Sequence, residues 1–164
     1  MTKLYIALFA CLTLYLACKK SNNEPDSGFK CKLNGKTWRP YNDDFKSQEA
    51  EIHLLNNGQE IFIRASNSRS REGVGIGVYT PGILIVPGKY TLKSKTHFSG
   101  SYYRDATHES FYTQSGYEGV LEILKIDTIK SRISGTFYFK AYDETSKSMV
   151  DVTNGEFDLA FVRY

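Results

Sequence analysis

Residues 97–117 concentrate the side chains that could recognise a ligand. This segment is rich in tyrosine, phenylalanine, serine and histidine and poor in aliphatic residues. Aromatic rings of this kind stack on sugars or peptides, and hydroxyl, carboxylate and guanidinium groups beside them supply hydrogen bonds. The structural alternative is that alternate rings face the core of a β-fold. The candidate contact residues are Tyr102, Tyr103, Arg104, Asp105, Tyr112 and Tyr117.

Residues for catalysis or metal binding form no recognisable motif in the sequence. The chain has three histidines, none within an HExxH pattern, and no pair of cysteines spaced as zinc ligands. A glycosidase needs two carboxylates across a cleft, and Asp105 with Glu109 or Glu118 with Glu122 are close in sequence. Such pairs are expected by chance among 18 acidic residues. We therefore expect a protein that is not an enzyme and holds no metal or cofactor.

A glycine-rich stretch, Gly73-Val-Gly-Ile-Gly-Val78, raises the question of nucleotide binding. Its spacing is not GxGxxG, and no helix follows to present its N-terminus to a phosphate. In an extended strand the three glycines share one face, opposite Val74, Ile76 and Val78. We expect a backbone segment or an aromatic ring to pack across that bare face.

The elements that must position these residues are strands. Apolar and polar side chains alternate every second residue through 29–164, with almost no helical periodicity. Asn34-Gly35 predicts a tight hairpin, and segments 83–86 and 90–92 read as further strands. The predicted fold class is all-β, an antiparallel β-sandwich of about eight to ten strands. A small lipocalin-like up-and-down barrel is the alternative.

The predicted core is clearest in the last third of the chain, where aromatic and aliphatic residues alternate without interruption. Cys31 also lies on an alternating face, so we interpret it as a small buried hydrophobe rather than a reactive thiol. The other two cysteines, Cys11 and Cys18, belong to the N-terminal signal and lipidation segment described below, so Cys31 is left without a partner and a disulfide framework is not expected. The core residues expected here are Trp38, Ile133, Phe137, Phe139, Phe157, Leu159 and Phe161.

The N-terminus carries an export signal. Lys3 is followed by an uncharged apolar run over residues 4–17, and Lys19 and Lys20 end the run abruptly. A transmembrane helix needs roughly 20 apolar residues, so the run is short for a permanent span. Residues 1–17 are therefore predicted to be a secretory signal peptide.

Leu16-Ala17-Cys18 resembles the lipobox of bacterial lipoproteins, in which the cysteine is lipidated and becomes the first residue of the mature chain. Cys11 is a competing position, but cleavage there would leave an apolar stub. Cys18 precedes a polar stretch rich in Ser, Asn and Pro that reads as a tether over residues 18–28. The resemblance implies lipidation at Cys18, so that acyl chains hold the protein to a membrane. The length of the remaining chain predicts a single β domain over 29–164.

The charge balance argues against nucleic acid as a partner. The chain has 21 basic and 18 acidic residues, a formal net charge of +3, without a clustered basic face. The densest basic stretch, residues 64–71, is interspersed with Ser and Asn and reads as a solvated loop.

Four strand-and-turn patterns spread over most of the chain resemble a known group of proteins. They are Lys32-Leu-Asn-Gly-Lys-Thr-Trp38, Pro87-Gly-Lys-Tyr-Thr-Leu92, Ile133-Ser-Gly-Thr-Phe137 and Val152-Thr-Asn-Gly-Glu-Phe157. Together they resemble small Bacteroidota lipoproteins that form a family of unknown function. The resemblance implies a location at the outer membrane, on its periplasmic or surface face, and it brings no activity. Asp127-Thr128-Ile129 resembles the O-glycosylation sites of periplasmic proteins from the same group of bacteria, which implies a modification at Thr128.

Three hypotheses of function follow. The first is a membrane-anchored, non-catalytic binding or interaction module whose aromatic segment contacts a glycan, a peptide or another envelope protein. The second is a lipocalin-like carrier of a small apolar ligand, and the third is a hydrolase acting on glycans. An internal cavity would favour the carrier, an exposed patch of rings the binding module, and a cleft with converging carboxylates the enzyme.

Overall fold

The computed structural model describes residues 28–43, 49–93 and 97–164, so the predicted signal peptide and almost all of the tether, including Cys18, lie outside the described residues. Within the described ranges the regular elements are eleven strands and two single turns of 3-10 helix, Asn56–Gly58 and Asp105–Thr107. No helix in these ranges is long and apolar enough to cross a membrane. The strands are β1 (Phe29–Leu33), β2 (Lys36–Trp38), β3 (Ala50–Leu55), β4 (Glu60–Asn67), β5 (Glu72–Tyr79), β6 (Gly88–Leu92), β7 (Phe98–Arg104), β8 (Glu109–Tyr112), β9 (Gly119–Asp127), β10 (Arg132–Asp143) and β11 (Ser148–Arg163).

The all-β prediction is confirmed, with one large mixed sheet in the order β2-β1-β11-β3-β4-β5-β7-β8-β10-β9-β6 and a further pairing between β10 and β11. The long strand β11 pairs antiparallel with β1 and β10, and its end, at Phe161 to Arg163, pairs parallel with β3. This order is not consecutive along the chain, because β11 lies between β1 and β3. The last strand therefore joins the two halves of the sequence.

Local sequence explains most of the hairpins. Asn34 and Gly35 adopt φ angles of 48° and 81°, the left-handed values that a tight turn needs, and they connect β1 to β2 as predicted. Segment 83–86, in contrast, is not a strand. Ile85 is buried there while its neighbours are exposed, and β6 begins only at Gly88. Pro81 and Pro87 have no N–H to donate to a ladder, which limits pairing at both ends of the segment.

The alternating faces meet in a single core. Trp38 is 7% exposed and Cys31 is 2% exposed, and all seven predicted core residues of the sequence analysis are buried. Three core rings lie directly over glycines, since a Cβ at Gly100, Gly135 or Gly155 would overlap the ring of Phe139, Phe157 or Phe137 respectively. Glycine is needed at these positions because the rings fill the space that a side chain would take.

The sheet has two ends that differ in character. At one end lie the turns between β4 and β5, β7 and β8, and β10 and β11; the first two are joined by a hydrogen bond from Asp105 N to Arg71 O of 2.9 Å. We call this the cleft end. At the other end lie Gly28, the turn Asn56–Gly58, residues 127–131 and the last residues of β11. We call this the Gly28 end.

Candidate functional site

The predicted contact residues do not form one surface, and Tyr102 is not on the surface of the protein. Its side chain is 2% exposed, packs on Phe111 with ring centroids 5.4 Å apart, and donates its hydroxyl to Glu72 Oε1 at 2.6 Å. Burial, together with that hydrogen bond, raises the pKa of Tyr102 to about 12. The prediction that Tyr102 lines an exposed contact surface is therefore wrong, because successive strand residues face opposite sides and Tyr102 faces inward.

Tyr103 faces outward and lies across the glycine face of β5. Gly73 is its cross-strand partner, and a Cβ on Gly73 would overlap the Tyr103 ring. The prediction that a ring packs over these glycines is thus confirmed at Gly73, while Gly75 and Gly77 face Ser101 and Ser99. Tyr103 keeps 37% of its surface exposed. The ring is held from below by the neighbouring strand and remains accessible to solvent.

Beside Tyr103 is a cleft of about 270 Å³ at the cleft end of the sheet. Its charged groups are paired: Arg71 Nε donates to Asp105 Oδ2 at 3.0 Å, which ties the β4–β5 turn to the β7–β8 turn. The other lining groups are polar amides and hydroxyls beside the Tyr103 ring. The cleft is lined by Asn42, Ser66, Asn67, Ser68, Arg71, Glu72, Tyr103 and Asp105.

A second cleft of about 480 Å³ shares Asn67 with the first. Here Arg69 lies over the Tyr41 ring, with its Cζ 3.5 Å from the ring centroid, and it also donates to the Tyr41 hydroxyl. Asn67 shapes the turn between the clefts, because its Oδ1 accepts from Arg69 N and Ser70 N while its Nδ2 donates to Arg39 O. The two clefts therefore adjoin at Asn67 and contain one ring each, Tyr41 and Tyr103. We call them together the double cleft.

Glu72 is the polar centre beneath this region. Its carboxylate accepts from Trp38 Nε1 at 3.2 Å and from the Tyr102 hydroxyl, and Arg104 Nε lies 3.9 Å away. Arg104 Nη1 in turn donates to Glu109 Oε2 at 2.9 Å. Hydrogen bonding from Thr107, with the charge of Arg104 contributing, lowers the pKa of Glu109. Arg104 thus contacts the carboxylates of Glu72 and Glu109 below the cleft and does not line it. Tyr103 and Asp105 do line it.

Tyr112 and Tyr117 lie elsewhere on the outer face. Tyr112 is 38% exposed and pairs across the ladders with Ser101 and Tyr142. Tyr117 stacks on Tyr142, with centroids 4.9 Å apart and ring planes 13° from parallel. Neither tyrosine lines the two clefts. They form a separate ring cluster with Tyr142, a residue that the sequence analysis did not select.

The remaining candidates are dispersed. Three of the four carboxylates considered for glycosidase chemistry pair with different cations: Asp105 with Arg71, Glu109 with Arg104, and Glu122 with Lys89 at 3.7 Å. Among the described residues, no group of three His, Cys, Asp or Glu side chains could hold a metal ion. Thr128 is exposed in the β9–β10 turn, where Asp127 Oδ1 accepts from Lys130 N at 2.9 Å.

Sequence reasoning missed Tyr41, Asn67, Arg69 and Glu72. A signal was present for Asn67 and Arg69, since Asn67-Ser-Arg-Ser-Arg71 separates two alternating segments and so marks a hairpin tip. Tyr41 reaches the site through contacts with the β4–β5 turn, among them its bridge to Asn67, which lies 26 positions away and which no local pattern indicates.

Fold and site together define an all-β domain with one mixed sheet and a polar, ring-containing double cleft at one end. The chain belongs to the family DUF6252, a domain of unknown function, which matches residues 26–159. No curated protein and no solved structure matches the chain.

Proposed function

We propose that this protein is an exported, lipid-anchored binding module that holds a neutral glycan in the double cleft and does not hydrolyse it. The observation that carries the proposal is the Tyr103 ring, packed against Gly73 and partly exposed beside a polar cleft. Flat rings of this kind stack on the apolar face of a sugar, while amides and carboxylates beside them bind its hydroxyls.

The charges at the cleft favour a neutral ligand. Arg71 is matched by Asp105, and Arg69 Nε lies 3.8 Å from Asp43. A polyanion would have to break these pairs to gain a cation, whereas a polyhydroxyl ligand can use them as they stand, since each carboxylate keeps acceptor capacity. The packed aromatic and aliphatic core supports a surface site over an internal apolar cavity.

Attachment is proposed at Cys18, with residues 18–28 as the tether. Two or three acyl chains hold a protein stably to a bilayer, at about 0.8 kcal/mol for each buried methylene. Labelling with radioactive palmitate should mark the native chain and a Cys11→Ser variant, and should be lost in Cys18→Ser. Retained label in Cys18→Ser would refute attachment at this residue.

Glycan binding is tested by calorimetry on a panel of gluco-, manno- and chito-oligosaccharides, with heparin as the anionic comparison. Tyr103→Ala should weaken the binding of the best neutral oligosaccharide about tenfold, because one stacked ring contributes on the order of 1 kcal/mol or more. Gly73→Ala should also weaken binding, since the added methyl group displaces the Tyr103 ring.

Tyr138→Ala is the matched control, because Tyr138 is an exposed tyrosine that lines neither cleft. We expect its affinity to equal that of the native protein. Preferential binding of heparin, or equal losses in Tyr103→Ala and Tyr138→Ala, would contradict the proposed site. Release of reducing sugar from the bound oligosaccharide would contradict the proposal that the module is not catalytic.

A further inference from the structure

The Gly28 end carries large apolar side chains in contact with solvent. Ile129, at the tip of the β9–β10 turn, is 95% exposed, and Ile83 and Leu84 are 67% and 60% exposed. Val86 and Tyr164 are exposed in the same way. Single exposed apolar residues are ordinary, but a group of them at one end of a domain marks a surface that contacts something apolar.

The structure brings these side chains together from three parts of the chain. Ile85 N donates to Gly58 O at 2.8 Å, which fixes loop 81–87 beside the β3–β4 turn. Phe161 N donates to Ser131 O at 2.9 Å, which fixes the β9–β10 turn beside the end of β11. Leu84, Thr128 and Tyr164 line one cleft of about 480 Å³ between these segments. The segments that carry the apolar tips are therefore adjacent at this end.

The described chain begins at this same end. Asp158 N donates to Gly28 O at 2.8 Å, and Phe29 pairs with Phe157 near the end of β11. Strand β11 starts at the opposite, cleft end, where Ser148 pairs with Asp143. Gly28 lies ten positions after Cys18, and that length of chain spans at most about 35 Å when fully extended. A lipid at Cys18 would thus hold the Gly28 end close to the bilayer.

Basic side chains flank the apolar tips. Lys130 follows Ile129 directly, and Arg163 lies next to Tyr164 with its guanidinium 5.4 Å from the Phe161 ring. Long basic side chains at such positions bury their methylene stems and keep their charge at the level of the lipid headgroups. An apolar tip bordered by Lys and Arg is the pattern of a segment that lies in a membrane interface.

From these features we infer that the Gly28 end is a membrane-docking surface. The side chains of Ile83, Leu84, Val86 and Ile129 insert among lipid headgroups, and the double cleft is directed away from the bilayer. The inference rests on the proposed membrane attachment of the N-terminal segment, but it does not depend on which ligand the cleft binds. Docking fixes the orientation of the domain, which attachment at Cys18 alone does not fix.

The test is the depth of an introduced tryptophan. The full chain is reconstituted into phosphatidylcholine vesicles containing phosphatidylglycerol, with or without phosphatidylcholine brominated along its acyl chains, which quenches nearby tryptophan. Ile129→Trp places the reporter at the Gly28 end, and Ala106→Trp, in the exposed β7–β8 turn, is the matched reporter at the cleft end. Trp38, the only native tryptophan, is buried, and its signal is subtracted using the parent chain.

The reporter at position 129 should lose about half its fluorescence or more, because interfacial segments insert roughly 5–10 Å into the headgroup and acyl boundary. The reporter at position 106 should be unquenched. Adding Leu84→Ser to Ile129→Trp should reduce the quenching, since one of the neighbouring inserted side chains is lost. Equal quenching at both positions, or none at either, in vesicles that carry the chain would overturn docking while leaving attachment intact.

Flotation of the vesicles measures attachment separately. A chain that does not float with the vesicles refutes attachment and docking together. If the reporter at position 129 is protected but not quenched by brominated lipid, and the detergent-solubilised chain elutes as a dimer, the surface binds a second copy and the membrane assignment is wrong. Oligosaccharide affinity is independent of all these outcomes, so a failure of the cleft proposal would be distinguished by calorimetry.

Discussion

Removing the carboxylate of Glu72 should lower the free energy of unfolding more than removing a carboxylate from any of the surface ion pairs. In Glu72→Ala, Trp38 Nε1 and the Tyr102 hydroxyl lose their acceptor at the same time. Both donors belong to side chains that are at least nine-tenths buried. The end of β2 also loses the hydrogen bond from Trp38 that links it to β5.

The magnitude follows from the two donors. A buried polar group without a partner costs about 1–3 kcal/mol, so two such groups give a loss of about 2–6 kcal/mol. The Glu72 side chain is 20% exposed, so water can reach part of the vacated space and partly satisfy one donor. We therefore expect a loss of about 3 kcal/mol. For a domain of this size that corresponds to a fall in Tm of roughly 10 °C.

Urea unfolding followed by Trp38 fluorescence measures the loss directly, because the only tryptophan of the chain is one of the two donors. Glu122→Ala is the matched control. It removes a carboxylate from an exposed 3.7 Å contact with Lys89 and should cost no more than about 1 kcal/mol. Similar free energies of unfolding for the two variants would refute the view that Glu72 satisfies the buried donors.

Two further predictions concern a thiol and a carboxylate. Burial raises the pKa of Cys31 to about 12. Iodoacetamide at pH 8 should therefore alkylate Cys31 on the order of a hundred times more slowly in the folded protein than in urea. Mass spectrometry of the peptide that contains Cys31 measures the two rates, and equal rates would contradict burial. Backbone N–H groups of Ser146 and Ser110 lower the pKa of Asp143. The ionised carboxylate therefore stabilises the folded state at pH values above the unfolded pKa of about 3.9, and this stabilisation is lost as the pH falls through the folded pKa. Asp143→Asn should therefore lower the Tm at pH 7, with a difference that shrinks below about pH 4; a difference independent of pH would contradict this origin.

The core and several hairpins could be predicted from sequence because both depend on near neighbours. Alternation within β10 and β11 identifies Phe137, Phe139 and Phe157 as residues of one face, and burial follows since only one face of the sheet is apolar. Asn34-Gly35 predicts its hairpin by its φ angles alone. Each of these predictions needs no knowledge of distant strands.

The site could be predicted only in part. Alternation shows that neighbouring side chains of a strand point to opposite faces, but it does not show which of them faces solvent. Tyr102 and Tyr103 are adjacent in an extended strand, so they cannot both face solvent, and nothing local decides which of them does. The pairing of Val74 with Tyr102 on the inner face and of Gly73 with Tyr103 on the outer face decides it. That register, like the bridge from Tyr41 to Asn67, is set by contacts between distant segments.

The position of β11 has a consequence for how the chain folds. Strands β1, β3 and β10 all pair with it, and Phe29 meets Phe157 across 128 positions of sequence. Contacts of such long range form slowly, because closing a large loop costs entropy before the contact stabilises anything. Until β11 has been synthesised, β1 has no strand to pair with other than the short β2. The first strand can therefore take its place in the sheet only after the last strand is present. If the chain is exported as proposed, the order of pairing means that the sheet cannot be completed until the last strand has followed the rest of the domain.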